Sequence, residues 1–256
     1  MRARYSGGET RLAPELMRRI RITLAYDGAP FHGWQVQPGV PTVQGTLEQI
    51  VSEIEGKPVQ VAGSGRTDAG VHALAQVAAF TIDNPIPLVN LQRAVNRLLP
   101  PTVRILAAEE APANFHPRFD AKAKTYEYRI CRGEVCSPFE WPYVFHYPYP
   151  LAEERMTGLA RALEGEHDFS AFAASDDRDA EGGSKVRTIY SSVLKAPAGS
   201  LIYRVRGSGF LKHMVRNIVG TLIEAGKGNI ENVTVLPEKS GPTAPAKGLF
   251  LVSVEY

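Results

Sequence analysis

Asp68 stands in a run of small and flexible residues, Gly63-Ser64-Gly65-Arg66-Thr67-Asp68-Ala69-Gly70-Val71-His72. The three glycines free the backbone for turns and for close approach of a ligand. A carboxylate among them is placed where a substrate can reach it, and it can serve as nucleophile or as acid–base group. A phosphate-cradling loop needs Lys and then Ser or Thr after its last glycine, whereas Val71 and His72 follow Gly70. A dinucleotide fingerprint needs glycine where Asp68 stands. Asp68 and His72 together offer two metal ligands, too few for a site. Two readings stay open at this point: a reactive acid that needs no cofactor or metal, or an Asp that caps a following helical turn.

Other residues extend the chemistry. Arg66 lies two positions before Asp68, so in an extended segment both side chains point the same way. Tyr126 opens an aromatic strand flanked by Arg118, Lys122, Lys124 and Arg129. Aromatic rings among cations suit the stacking of an unpaired base, although of Tyr126 and Tyr128 at least one belongs to the core. Between Gly182 and Ile223 no acidic residue occurs, while Lys185, Arg187, Lys195, Arg204, Arg206, Lys212 and Arg216 do, with His213. That excess attracts phosphates wherever the side chains share a face, and is otherwise a solvated surface. The acids gather instead at Asp176-Asp177-Arg178-Asp179-Ala180-Glu181, read as an exposed loop.

These residues need elements to hold them. Residues 1–18 read as an extension, with Met17 as a second candidate start. Alternating apolar residues predict strands over 19–26, 59–62, 75–82, 103–108, 125–130, 189–194, 201–207 and 249–255. Helical spacing predicts helices over 43–55, 87–99, 153–163 and 211–225, the first closed by Gly56. The last carries the stripe Leu211, Met214, Val215, Ile218, Val219, Leu222 and Ile223. Lys212, His213, Arg216 and Gly220 fall on another face, and Arg216 at its edge can offer its guanidinium to a buried carboxylate. The expected fold is α+β, with two similar sheet-plus-helix halves of ferredoxin-like or RRM-like design flanking a central basic cleft. The halves are 19–112 and 113–256, with the boundary near Ala111-Pro112-Ala113.

The 256 residues are 44% hydrophobic and 22% charged, with a formal net charge of +2. Those are ordinary values for a soluble globular protein. No 18-residue apolar run and no secretory signal is visible, so a cytoplasmic protein without a membrane segment is expected. Cys131 and Cys136 cannot form a disulfide framework, and four zinc ligands would need distant histidines. Both read as reduced thiols.

The segment Gly65 to His72 resembles the catalytic loop of the tRNA pseudouridine synthase A family. Further matches are Tyr26-Asp27-Gly28 with Phe31-His32-Gly33-Trp34-Gln35, Thr42 to Glu48, Asn114 to Ala121, Lys124 to Tyr128, His167 to Phe172, Met214 to Gly220 and Ala244 to Leu249. They run collinearly from about residue 20 to the end; residues 1–18 lie outside, and 176–183 and 236–241 match loosely. The resemblance implies that Asp68 is the catalytic carboxylate and that Arg216 pairs with it. It implies that Tyr126 stacks on the target base and aids proton transfer, and that Arg66 helps extrude the nucleotide. His72, Lys124, Arg118, Lys212 and His213 join Tyr126 and Arg66 as candidate substrate contacts. It further implies a homodimer acting on uridines 38, 39 and 40 of the tRNA anticodon stem-loop, without cofactor or metal. A non-catalytic RNA-binding module has no use for a carboxylate beside phosphates, and a phosphate-ester hydrolase built on the glycine loop lacks its Lys-Ser/Thr.

Overall fold

Ile20, Ile22, Leu24 and Tyr26 alternate with Arg19, Arg21, Thr23 and Ala25, which puts four large side chains on one face of an extended segment. In the computed structural model this is strand β1 (Arg18–Tyr26), with those four side chains buried. The structure describes residues 17–175 and 183–256. The acidic loop 176–181 and all but the last two residues of the expected extension 1–18 lie outside the described residues.

Helix α1 (Val43–Glu55) starts at Thr42, whose side chain accepts from the Gly45 amide at 3.2 Å, and stops at Gly56 with φ 77°. That left-handed conformation is the usual glycine stop. β2 (Ala62–Gly63) is shorter than the expected 59–62. The reason is that α1 side chains take the preceding backbone: Val59 N donates to Ser52 Oγ at 2.8 Å and Val61 N to Glu48 Oε1 at 3.0 Å. β3 (His72–Ile82), α2 (Leu88–Leu98) and β4 (Val103–Glu110) follow. Then come β5 (Ala123–Cys131), β6 (Phe145–His146), α3 (Glu153–Ala162), β7 (Gly165–Asp168), β8 (Val186–Lys195) and β9 (Ser200–Gly207). α4 (Met214–Gly226) and β10 (Leu249–Glu255) close the chain. β6 and β7 carry too few residues to show a period in the sequence.

α4 begins three residues later than its apolar stripe suggested. His213 precedes it in a left-handed conformation, φ 60° and ψ −1°. Lys212 and His213 are therefore off the helix, and the shared face expected for Lys212, His213, Arg216 and Gly220 does not form. Gly220 is buried, and a Cβ there would lie 1.7 Å from the Pro242 carbonyl oxygen.

The architecture is mixed α/β, with four α-helices and one ten-stranded sheet among the described residues. The sheet order is β4-β1-β3-β10-β5-β9-β8-β7, with β2 added beside β3 and β6 beside β5. One apolar cluster runs through it, from Ile20, Phe80 and Leu47 to Tyr128, Tyr203 and Ile218. β3 and β10 pair in parallel over only two registers, Phe250 with His72 and Leu251 with Ala73. The glycine loop ends at that short seam, because β3 begins at His72.

Candidate active site

The glycine loop is held from several directions. The Ser64 amide donates to Val77 O at 2.8 Å, and the Ser64 hydroxyl bonds to Gln76 Oε1. Gln76, fully buried, also donates to Gly65 O at 3.0 Å, and Lys124 Nζ donates to Ser64 O at 2.6 Å. A Cβ at Gly63 would lie 2.4 Å from the Trp34 ring, so only glycine passes there. Thr67 turns inward and its hydroxyl bonds to the Tyr26 hydroxyl at 2.8 Å, while Trp34 N donates to Thr67 O at 3.0 Å. Its neighbours Arg66 and Asp68 are left on the outer side, Arg66 exposed and Asp68 partly so. Arg66 and Asp68 are thus both more open than the residue between them.

The Asp68 side chain caps no helix. The turn after it is closed by a backbone bond, Val71 N to Asp68 O at 3.1 Å. The carboxylate instead meets two groups from the far end of the chain, both on Oδ2: Arg216 Nη1 at 3.0 Å and His213 Nε2 at 3.6 Å. Arg216 is aimed by a second contact, Nε to Ala244 O at 2.8 Å, and its backbone carbonyl accepts from Ala244 N at 3.2 Å. Among the described residues no hydrogen bond reaches Oδ1. One oxygen of the carboxylate is anchored, which fixes the direction of the group.

Tyr126 shares this environment. Burial pushes its phenol well above the ordinary range, and the nearby Tyr26 and the charge of Asp68 push it further. It is a neutral phenol, fit to donate a hydrogen bond beside the carboxylate. Its ring is only 8% exposed and meets Phe210 edge-on, with centroids 5.1 Å apart. It is not an open platform.

The remaining candidates divide. Arg66 has neither a hydrogen bond nor an ion pair to another described residue. Arg118 is exposed, with its guanidinium 5.6 Å from the Phe119 ring centroid. Lys212 is exposed and donates to Ser175 O at 3.1 Å. Two expectations need correction. His72 is 2% exposed, stacked on Phe250 at 4.7 Å with Nδ1 3.1 Å from Asp27 Oδ1, so it is a packed side chain rather than the open loop residue expected of a substrate contact. Lys124 faces inward on the Tyr126 side of β5 and binds the loop backbone; burial, then Arg118, push its ammonium down to about 8. The basic stretch is also partly neutralised. Arg204 pairs with Glu127 and Arg206 with Glu255, each at 2.6 Å, by acids outside the stretch.

Sequence reasoning missed the anchors Gln76, Tyr26, Thr67 and the Ala244 carbonyl. Gln76 carried a signal, a polar residue inside an otherwise apolar strand. The Ala244 carbonyl carried none, since any residue supplies one.

The sequence profile described as tRNA pseudouridine synthase matches residues 22–120 and again 159–256. A tRNA pseudouridine synthase A of Solibacter usitatus (strain Ellin6076) is 77% identical over 240 residues, covering 94% of this chain and 100% of the relative. Proteins of the same name from Lacticaseibacillus casei (strain BL23) and Brevibacillus brevis (strain 47 / JCM 6285 / NBRC 100599) are each 42% identical, again over 94% of this chain and 100% of theirs.

Proposed function

The chain belongs to the tRNA pseudouridine synthase family and is an isomerase that converts uridine to pseudouridine in RNA; we propose that it acts on tRNA, at uridines 38, 39 and 40 of the anticodon stem-loop, with Asp68 as the catalytic carboxylate. The observation that carries the site assignment is the anchored Asp68 oxygen, 3.0 Å from Arg216, with its twin unengaged.

The reaction breaks the bond from uracil N1 to ribose C1′, turns the base and joins C5 to C1′. C5 gives up its proton and N1 gains one, so nothing is consumed and no redox group is called for. Asp68 supplies the nucleophile or the acid–base group, and Arg216 keeps it charged and aimed. Tyr126 bounds the pocket into which the base turns and offers its phenol for proton transfer. Arg66, exposed and unpaired beside Asp68, takes the place of the extruded nucleotide. Unstacking costs a few kcal/mol; contact with an aromatic ring returns about 1–3 kcal/mol per base. Arg118, Lys212 and His213 contact the RNA around this point.

We further read residues 19–112 and 113–256 as two halves of one design flanking a basic cleft. Support comes from the strand orders β4-β1-β3-β2 and β10-β5-β9-β8, which repeat, and from the two matches of one family profile. A cytoplasmic homodimer completes the reading; no described helix is long and apolar enough to cross a membrane.

Release of tritium from tRNA labelled at uridine C5 tests the reading. The wild type is expected to release it, and Asp68→Ala to release none while keeping tRNA affinity within about tenfold, because phosphate contacts dominate binding. Substantial conversion by purified Asp68→Ala overturns the role of Asp68.

A further inference from the structure

β5 ends at Cys131, away from the glycine loop, and the chain then turns through Arg132–Val135 before returning at Cys136. Glu140 precedes the short 3-10 turn Trp141–Tyr143. One ligand atom from each of Cys131, Cys136 and Glu140 lies within 4.8 Å of the other two. The turn that brings them together is built rather than loose. Tyr147 N donates to Cys131 O at 2.9 Å, Arg132 N to Gly199 O at 2.9 Å, and Trp141 N to Ser137 O at 2.8 Å. His146 holds the middle of the turn through Nε2 and the Gly133 carbonyl at 2.8 Å. Lys247, from the segment before β10, stands over the Trp141 ring at 3.5 Å and acts electrostatically on Cys136.

We propose that Cys131, Cys136 and Glu140 form a binding site for a thiophilic divalent cation such as zinc, with a water completing the tetrahedron. Two thiolates and a carboxylate are a borderline-soft donor set of the kind zinc takes. The charges also balance: a divalent cation, two thiolates and one carboxylate sum to −1, and Lys247 stands beside them. The carboxylate in the cluster favours a cation over a disulfide, which would use the sulfurs alone. Lys247 adds a positive charge near Cys136. The ion would tie the end of β5 to the excursion that covers it.

The test is titration of the reduced, chelator-stripped full chain with Co2+, whose thiolate complexes absorb strongly. The expected result is one Co2+ per chain with thiolate-to-cobalt absorption, and displacement by Zn2+. Cys136→Ser should abolish the absorption, and Glu140→Gln should weaken binding by about tenfold or more. Pseudouridine formation by Cys136→Ser should stay within about twofold of wild type, since the variant touches no reacting group; that keeps this test separate from the one on Asp68. Absence of the absorption in the wild type, or its survival in Cys136→Ser, overturns the proposal. So does loss of both thiols in air without cobalt uptake, which would make the pair a redox couple.

Discussion

His213 is the residue at which backbone and chemistry can be pulled apart. It has φ 60°, the only positive φ at a non-glycine position among the described residues. An L-residue there costs about 1–2 kcal/mol, and such strain persists where surrounding contacts over-determine it. Its ring stands 3.6 Å from Asp68 Oδ2. At side-chain exposures of 30% and 26%, a polar contact of this kind contributes at most roughly 1 kcal/mol. Three substitutions separate the effects. His213→Gly removes the ring and the strain, His213→Asn removes the ring and much of the strain, and His213→Ala removes the ring and keeps the strain. The glycine variant should exceed the alanine variant by about 1 kcal/mol, a Tm difference of about 2–4 °C for a chain of this size. Turnover should fall about fivefold to tenfold in all three, irrespective of Tm. The assays are thermal unfolding and single-turnover pseudouridine formation with enzyme in excess. Wild-type turnover in His213→Gly would refute a role for the ring, and equal Tm in the glycine and alanine variants would refute the strain.

Two further outcomes follow from packing and burial. Gly220→Ala places a methyl 1.7 Å from the Pro242 carbonyl oxygen, so α4 and the 241–244 segment must separate; a loss of about 3 kcal/mol or more in denaturant unfolding is expected, and unchanged stability would show that the segment yields. Burial holds the His72 ring below its ordinary 6.5, against the opposing pull of Asp27. The unfolded chain then binds the extra proton first, so stability is present above about 6.5 and falls as pH drops toward the folded value. Thermal unfolding from about pH 7.5 to 5.5 should show a steeper loss for wild type than for His72→Gln, and parallel slopes would refute it.

How far the sequence speaks depends on the range over which each feature is decided. α1 is readable because its stop signals are local, Thr42 ahead and Gly56 behind. β10 is readable because its apolar run starts directly after Gly248. β2 is not, since whether Val59 and Val61 join a ladder depends on Ser52 and Glu48 reaching across from the helix. α4 looked three residues longer because Leu211 keeps the helical period while His213 breaks the backbone. Lys124 shows a signal that was present and misread. It shares parity with Tyr126 along β5, so once that tyrosine is core the lysine must point inward with it. Its basic neighbours suggested a surface that strand geometry does not grant. His72 is misleading for another reason: its loop looks exposed, but the residue is already the first of β3 and packs on Phe250.

The site itself could not be read from any one stretch, and the physical reason is its span. Asp68 and Arg216 are 148 positions apart, and the guanidinium reaches the carboxylate only because Ala244 turns it. The loop lies where β3 meets β10, a pairing of two registers, and β10 continues directly from the segment that carries Ala244. Residues before 113 therefore supply the carboxylate and its loop, while residues after it supply the cation, the phenol and the ammonium that clamps Ser64. A carboxylate facing a pocket alone would be repelled by the phosphates that bring RNA to it. Here the counter-charge of Arg216 is aimed at Asp68 by Ala244, so on the role proposed for Asp68 the completed sheet is itself the condition for its reactivity.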